Sequence, residues 1–151
     1  MDLLSFLDSE RTLAVIPYEP SAALPIPFFG STIPAGFPSP AEDYIDKSLD
    51  LNDLVIQHPA ATFFVRVEGD SMIDAGIHSG DVLVVDRALT PGNGRVVVAV
   101  VGGEFTVKRI RKVGDRLFLV PDNPDLDPLE ISPETGFEVW GIVTYVIHRV
   151  K

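Results

Sequence analysis

From residue 61 onward, short runs rich in valine, isoleucine, threonine and aromatic residues alternate with clusters of glycine, proline, aspartate and asparagine. The runs fit the pleated surface of a sheet, and the clusters between them favour turns. Strands are predicted over residues 62–68, 82–86, 95–101, 104–112, 116–120 and 137–148. Gly102-Gly103, between two runs, is typical of a two-residue hairpin turn. This pattern predicts a mainly β fold, a compact antiparallel sheet assembly or partly closed barrel.

The last run, residues 137–148, carries apolar side chains on both of its faces. A strand with no plain solvent face is central in its sheet or lies at a subunit interface. Together with the valine-rich run at 96–101, it predicts a homodimer formed through the β domain.

Residues 1–60 have a different texture, because prolines recur there and each removes a backbone donor and favours extended geometry. We predict an extended N-terminal arm over residues 1–40 and a β-rich domain over residues 41–151, which together have the size of one ordinary domain. Near-helical spacing and early acidic residues after Pro40 predict a short helix over 41–46 or slightly beyond.

The excess of acidic residues indicates which kinds of partner the chain can bind. Twelve basic and 22 acidic residues give a formal net charge of −10, so phosphate backbones repel the chain and direct nucleic-acid binding is not expected. The one basic cluster is read as the solvated face of a strand pair; it comprises Lys108, Arg109, Arg111, Lys112 and Arg116.

The chain has no cysteine, which excludes disulfides, thiolate metal sites and a cysteine nucleophile. Its longest wholly apolar run, 96–101, is far shorter than the ~20 residues that span a bilayer. Acidic residues near the N-terminus do not fit a secretory signal peptide, so we expect a cytoplasmic protein without a membrane partner.

Ser71 follows a predicted strand in the turn Gly69-Asp70-Ser71-Met72, a position that more often serves as a turn former or helix cap than as a nucleophile. Lys108 shares one face of the strand 104–112 with Thr106 and Ile110. A desolvated amine there would lose its proton more readily and could activate a serine. Each residue alone favours the structural interpretation.

Taken together, five segments resemble the LexA/UmuD family of self-cleaving Ser/Lys peptidases over residues 24–150. They are Gly69-Asp70-Ser71-Met72, the Phe-Thr-Val-Lys-Arg-Ile strand whose lysine lies 37 residues after Ser71, the segment 80–86, the loop Pro121-Asp122-Asn123-Pro124 with Pro128-Leu129, and Pro34-Ala35-Gly36-Phe37. The resemblance implies Ser71 as nucleophile and neutral Lys108 as general base. It also implies an oxyanion hole from the backbone N–H groups of Asp70 and Ser71, a scissile bond between Ala35 and Gly36, and no cofactor.

The segment before Ala35 is short, rich in proline and without a helix-turn-helix pattern, so it is similar to the UmuD branch, accessory subunits of translesion DNA polymerase V, rather than to the repressors. The resemblance implies a homodimer whose self-cleavage is stimulated by a RecA filament on single-stranded DNA. The product would join the catalytic subunit of a Y-family translesion polymerase in SOS mutagenesis. Two alternatives remain: a LexA-like autoprotease acting as an antirepressor or truncated repressor, and a non-enzymatic binding module of the same fold.

Other sites are less favoured. Asp122, Asp125 and Asp127 resemble part of a calcium loop, but prolines interrupt it and the EF-hand glycine and glutamate are missing. The three histidines lack helical spacing, which favours structural or surface roles over a metal site. Composition is compatible with a Ser-His-Asp triad, although His78 lies close to Ser71 in sequence.

Overall fold

The computed structural model describes residues 14–17, 22–29, 32–38, 40 and 45–151. Its strands, in chain order, are β1 (Ala14–Pro17), β2 (Ile26–Phe29), β3 (Ile45–Leu49), β4 (Thr62–Arg66), β5 (Val82–Asp86), β6 (Val96–Val101), β7 (Glu104–Val113), β8 (Arg116–Val120), β9 (Leu129–Ile131) and β10 (Phe137–Ile147). One short helix, α1 (Leu51–Val55), and two 3-10 turns, Pro59–Ala61 and Ile73–Ala75, complete the described elements. Within this part of the chain, no helix has the length and apolar character needed to cross a membrane.

Eight strands form one antiparallel sheet in the order β1-β4-β5-β10-β6-β7-β8-β9, and β2 pairs with β3 in a separate two-stranded sheet. The predicted mainly β class is confirmed, and in the described residues the large sheet stays open rather than closing into a barrel. All six predicted strands are present, and β6 and β7 form the predicted hairpin. Gly102 and Gly103 have φ of 56° and 83°, which the turn requires and other residues rarely adopt.

Strand β10 lies between β5 and β6, so the central position predicted as one of two explanations for its apolar faces is confirmed. One apolar cluster includes Val98, Val107, Trp140 and Met72, and a second includes Val97, Ile110, Leu119 and Ile142. Neighbouring residues of β6 thus enter opposite clusters. The core on both faces of the sheet explains the apolar character of its central strands.

Strand β10 changes register against β6 between Val139 and Gly141, and there Gly141 lies close to β5. A Cβ atom at Gly141 would lie 2.5 Å from Val85 Cγ1, and Val85 is fully buried. We expect Gly141→Ala to lower the free energy of unfolding by about 1–3 kcal/mol, because this packed valine must move. Urea unfolding tests this, with Gly136→Ala as control, since a Cβ at Gly136 meets nothing within 4 Å. Equal effects of the two substitutions would contradict the steric explanation.

The helix predicted over 41–46 is not found where it can be examined. Residues 41–44 lie outside the described part of the chain, whereas Ile45–Leu49 form β3, paired with β2. Helix α1 instead begins after Asp50, whose Oδ1 accepts the Asn52 N–H at 3.0 Å. A side-chain cap at Asp50 fixes the helix start beyond the predicted position.

Candidate active site

Ser71 lies in the turn that follows β4. Gly69, with φ of 94°, opens the turn, and its N–H donates to Ser79 Oγ at 3.1 Å. Met72 closes the turn by burying its side chain in the first apolar cluster, where it is 2% exposed. Ser71 itself is partly exposed between these two anchors. The turn therefore fixes the backbone on both sides of the hydroxyl and leaves the hydroxyl accessible.

Strand β7 brings Lys108 to this hydroxyl. Lys108 Nζ lies 3.1 Å from Ser71 Oγ, 2.7 Å from Thr106 Oγ1 and 3.0 Å from the Val107 carbonyl oxygen. Because Thr106 is two residues away on the same face of the strand, its hydroxyl also reaches the amine. The structure thus brings together Ser71 and Lys108. It also places Thr106 in the site as a hydrogen-bond partner of the amine, a role that its position on the same strand face as Lys108 could have indicated.

Burial lowers the pKa of Lys108 below the ordinary value of a lysine. The neighbouring Arg109 guanidinium is paired with a carboxylate, that of Asp122. Desolvation therefore favours the neutral amine, the form that can accept a proton from a serine hydroxyl.

The backbone N–H groups of Asp70 and Ser71 donate no hydrogen bond to any residue that the structure describes. The Asp70 carbonyl oxygen, by contrast, accepts from Ile73 N at 3.2 Å and from Asn123 Nδ2 at 3.1 Å. Among the described residues, the two N–H groups of Asp70 and Ser71 are thus fixed in the turn and free to donate beside the Ser71 hydroxyl, which is the arrangement that stabilises an oxyanion formed there.

The loop after β8 holds the serine turn from the other side. Its Asp122 carbonyl oxygen accepts from Asp74 N at 2.8 Å, and Asp122 N approaches Met72 Sδ at 3.3 Å. The carboxylate of Asp122 accepts from Arg109 Nε at 3.0 Å and from Nη2 at 2.6 Å. One ion pair therefore joins the strand that carries Lys108 to the loops around Ser71. Sequence reasoning did not find this link: it considered Asp122 in a loop that resembles the family and in a partial calcium loop, and assigned it no partner on β7.

The Arg109 hydrogen bond holds the pKa of Asp122 below its ordinary value. The stabilisation is complete above the unfolded-state pKa and is lost as pH falls through the lower folded-state pKa. We expect Asp122→Asn to lower the free energy of unfolding by about 1–3 kcal/mol at neutral pH, with the difference from wild type shrinking in acid. Urea unfolding from neutral to acidic pH measures this.

Glu130→Gln is the matched control for Asp122→Asn. Arg116 contacts Glu130 in the same two-pronged geometry, with both bonds at 2.8 Å, but the two side chains are 63% and 45% exposed. Solvent screens such a pair, so this substitution should have a much smaller effect. A larger loss from Glu130→Gln than from Asp122→Asn would contradict the role given to burial.

A cleft of about 300 Å³ adjoins Lys108. Its apolar lining comprises Val101, Phe105, Leu119 and Leu129. The Ala35 and Gly36 pair is not inserted in a cleft: both are exposed, and a Cβ at Gly36 would meet nothing within 4 Å. The structure therefore brings Ser71 and Lys108 together but holds the predicted scissile segment in the open.

The histidines do not serve Ser71 in the described residues, and Ser71 Oγ has Lys108 as its hydrogen-bond partner there. His78 and His148 instead meet at the buried Asp81, and His58 pairs with Asp86. The geometry thus favours a serine and lysine pair over a triad with His78.

Comparison with known proteins agrees with this geometry. The family described as Peptidase S24-like matches residues 27–144. Protein SamA of Salmonella typhimurium is 47% identical over 139 residues, 92% of this chain and 96% of SamA. Protein MucA of Escherichia coli is 49% identical over 121 residues, 80% of this chain and 82% of MucA. The LexA repressor of Pseudomonas chlororaphis is 38% identical over 125 residues, 82% of this chain and 61% of the repressor.

The family match covers most of the chain and includes both Ser71 and Lys108. The similarity to SamA and to MucA covers most of this chain and most of the length of each of those two proteins. The chain therefore belongs to the Peptidase S24-like family, the LexA/UmuD family that its motifs resemble.

Proposed function

We propose that this protein is a serine endopeptidase that cleaves itself between Ala35 and Gly36, with Ser71 as nucleophile and Lys108 as general base. The observation that carries the proposal is the 3.1 Å contact between Lys108 Nζ and Ser71 Oγ, made by a partly buried amine. A structural lysine gains nothing from losing its solvent shell beside a hydroxyl, whereas a general base requires it.

In the proposed reaction, neutral Lys108 accepts the Ser71 hydroxyl proton as Oγ attacks the Ala35 carbonyl carbon. The negative oxygen that forms accepts from the N–H groups of Asp70 and Ser71. The Lys108 ammonium then donates its proton to the Gly36 nitrogen, and the peptide bond breaks. Water, deprotonated by Lys108, releases Ala35 from Ser71 and restores the hydroxyl. Thr106 Oγ1 and the Val107 carbonyl oxygen accept from the ammonium and hold it in place.

Cleavage by this route includes a conformational step, since Ala35 and Gly36 are exposed in the structure. Two flanking side chains, Ile33 and Phe37, are 81% and 91% exposed. Their entry into the apolar cleft beside Lys108 would bury both and would favour the cleavage conformation. The small side chains of Ala35 and Gly36 permit close approach of Ser71 to the carbonyl.

We assign residues 1–40 to an arm that carries the cleavage site and residues 41–151 to the peptidase domain. Similarity to SamA and MucA over most of their length supports the UmuD-like branch and a role in SOS mutagenesis. In this proposal a RecA filament on single-stranded DNA stimulates cleavage in the cytoplasm. The product, as a homodimer, is an accessory subunit of a Y-family translesion polymerase, and the net charge of −10 leaves DNA contact to its partners.

Incubation of the purified full chain alone at alkaline pH tests the enzymatic part. Mass spectrometry is expected to give two fragments, 1–35 and 36–151, because the base is built into the chain. Persistence of the intact mass, or cuts at scattered bonds, would overturn the autoprotease and favour a binding module of the same fold. Co-purification with a polymerase subunit supports the accessory role, and recovery with a repressor would contradict it.

A further inference from the structure

Two imidazoles and one buried carboxylate meet at the start of β5. Asp81 is 4% exposed, and its Oδ1 lies 2.6 Å from His148 Nδ1. Its Oδ2 accepts from the His78 backbone N–H at 2.8 Å and lies 3.7 Å from His78 Nδ1. The two histidine rings lie with their centroids 4.6 Å apart and their planes tilted by 35°. One potential ligand atom from each residue lies within 4.8 Å of the others.

The fold holds these residues together although His148 is 67 positions from Asp81. Val82 at the start of β5 pairs with Ile147 at the end of β10. Asp81 comes just before Val82 and His148 just after Ile147, so the antiparallel pairing places the two residues next to each other. His78 is fixed by a local turn, in which Asp81 N donates to the His78 carbonyl oxygen at 3.0 Å. Backbone pairing therefore sets the spacing, and only side-chain rotation remains free.

The charges of the group suit a cation. Asp81 supplies a carboxylate oxygen, and His78 and His148 each supply an imidazole nitrogen. The carboxylate lies at the base of the cluster, while the His78 and His148 side chains are 46% and 42% exposed. An ion could thus enter from solvent and keep open positions for water.

We propose that His78, Asp81 and His148 bind one divalent transition-metal ion of the zinc type. Two imidazole nitrogens and a carboxylate oxygen are ligands that Zn²⁺ accepts, whereas Mg²⁺ and Ca²⁺ prefer oxygen alone. Ligand atoms on tetrahedral Zn²⁺ lie about 3.4 Å apart, so the 4.8 Å limit of the present cluster requires shifts of roughly 1.5 Å. Binding replaces the contact between His148 Nδ1 and Asp81 Oδ1, and any proton held between them is released.

A second histidine and aspartate pair supplies an internal comparison. His58 Nδ1 lies 2.6 Å from Oδ2 of the buried Asp86, the same separation as His148 and Asp81. In the described residues no second imidazole joins this pair to complete a three-ligand group. Selective Zn²⁺ binding at the first group therefore depends on the added ligand, His78.

The test is isothermal titration of Zn²⁺ into the metal-free full chain carrying Ser71→Ala, so that self-cleavage plays no part. We expect one Zn²⁺ per chain, and Mg²⁺ in excess should not compete. Loss of a group that merely orients a ligand weakens metal binding about 10- to 100-fold, so His78→Ala or His148→Ala should each weaken binding at least about tenfold. His58→Ala should bind as the parent does.

Histidine NMR signals supply a second measurement. Zn²⁺ should shift ring signals of His78 and His148 and leave those of His58 in place. Absence of saturable binding at one ion per chain would overturn the proposal. So would equal affinity of the parent and the two ligand variants, or a larger loss from His58→Ala. Circular dichroism of each variant ensures that weaker binding reflects the missing ligand rather than unfolding.

Discussion

Lys108→Arg is expected to reduce cleavage between Ala35 and Gly36 by at least about a thousandfold while the sheet stays folded, because arginine keeps a cation but does not deprotonate. Ser71→Ala should have an equal effect through loss of the attacking oxygen. Combining the two substitutions should add little, since residues that act as one unit are not additive.

The wild-type rate should depend on pH in a defined direction. The neutral amine is the active form, so cleavage accelerates as pH rises and levels off above the pKa of Lys108. Burial lowers that pKa, which places the midpoint below that of an ordinary lysine. Fragment masses over time at several pH values give the profile, and circular dichroism monitors the fold.

Lys112→Arg is the matched control, since Lys112 lies on the same strand with an exposed position. It should cleave at the wild-type rate. If folded Lys108→Arg also cleaves at that rate, Lys108 is not the base and the proposed enzyme is wrong.

Gly36→Glu is the second substitution that we expect to reduce self-cleavage strongly. The structure has open space around Gly36, so the fold should accept glutamate without loss of stability. The substitution should instead act when the segment around Ala35 and Gly36 enters the cleft beside Lys108, because the charged glutamate side chain would displace the Ala35 carbonyl from Ser71. A displacement of about 1 Å costs about a hundredfold in rate, so cleavage should fall at least that much. Mass spectrometry of the incubated variant measures it, and unchanged cleavage would exclude Ala35–Gly36 as the bond.

The same variant separates cleavage within a chain from cleavage between chains. Gly36→Glu retains Ser71 and Lys108 but blocks the bond, whereas Ser71→Ala retains the bond but lacks the nucleophile. Mixed together, they yield fragments of the Ser71→Ala chain only if one chain cuts another. Isotope labelling of the Ser71→Ala chain identifies the source of each fragment.

Six of the ten described strands, β4 to β8 and β10, could be predicted from sequence because period and turn residues are local signals. Such signals predicted the hairpin at Gly102-Gly103 and gave the central position of β10 as one of two alternatives. The short β9 did not, since Leu129–Ile131 is ordered by pairing with β8 rather than by its own pattern.

The candidate site depends on contacts between distant residues, which local patterns do not encode. Ser71 and Lys108 were linked by a family resemblance, and the structure gives their separation. The bond between Arg109 and Asp122 and the meeting of His78 with His148 arise only once β5, β7 and β10 are paired. The helix expected near residue 45 was wrong because pairing with β2 overrides a weak helical period.

Strand β1 lies within residues 1–35, the part that the proposed cleavage would separate. In the intact chain it covers the outer side of β4. In the part of the chain that the structure describes, the severed fragment would be attached by two four-residue strands, β1 on β4 and β2 on β3, and each of these is too short to hold it firmly. Its departure would make β4 an edge strand, with a row of unpaired N–H and C=O groups open to an extended segment of another protein. The cut would then create a template for strand addition as well as shorten the chain.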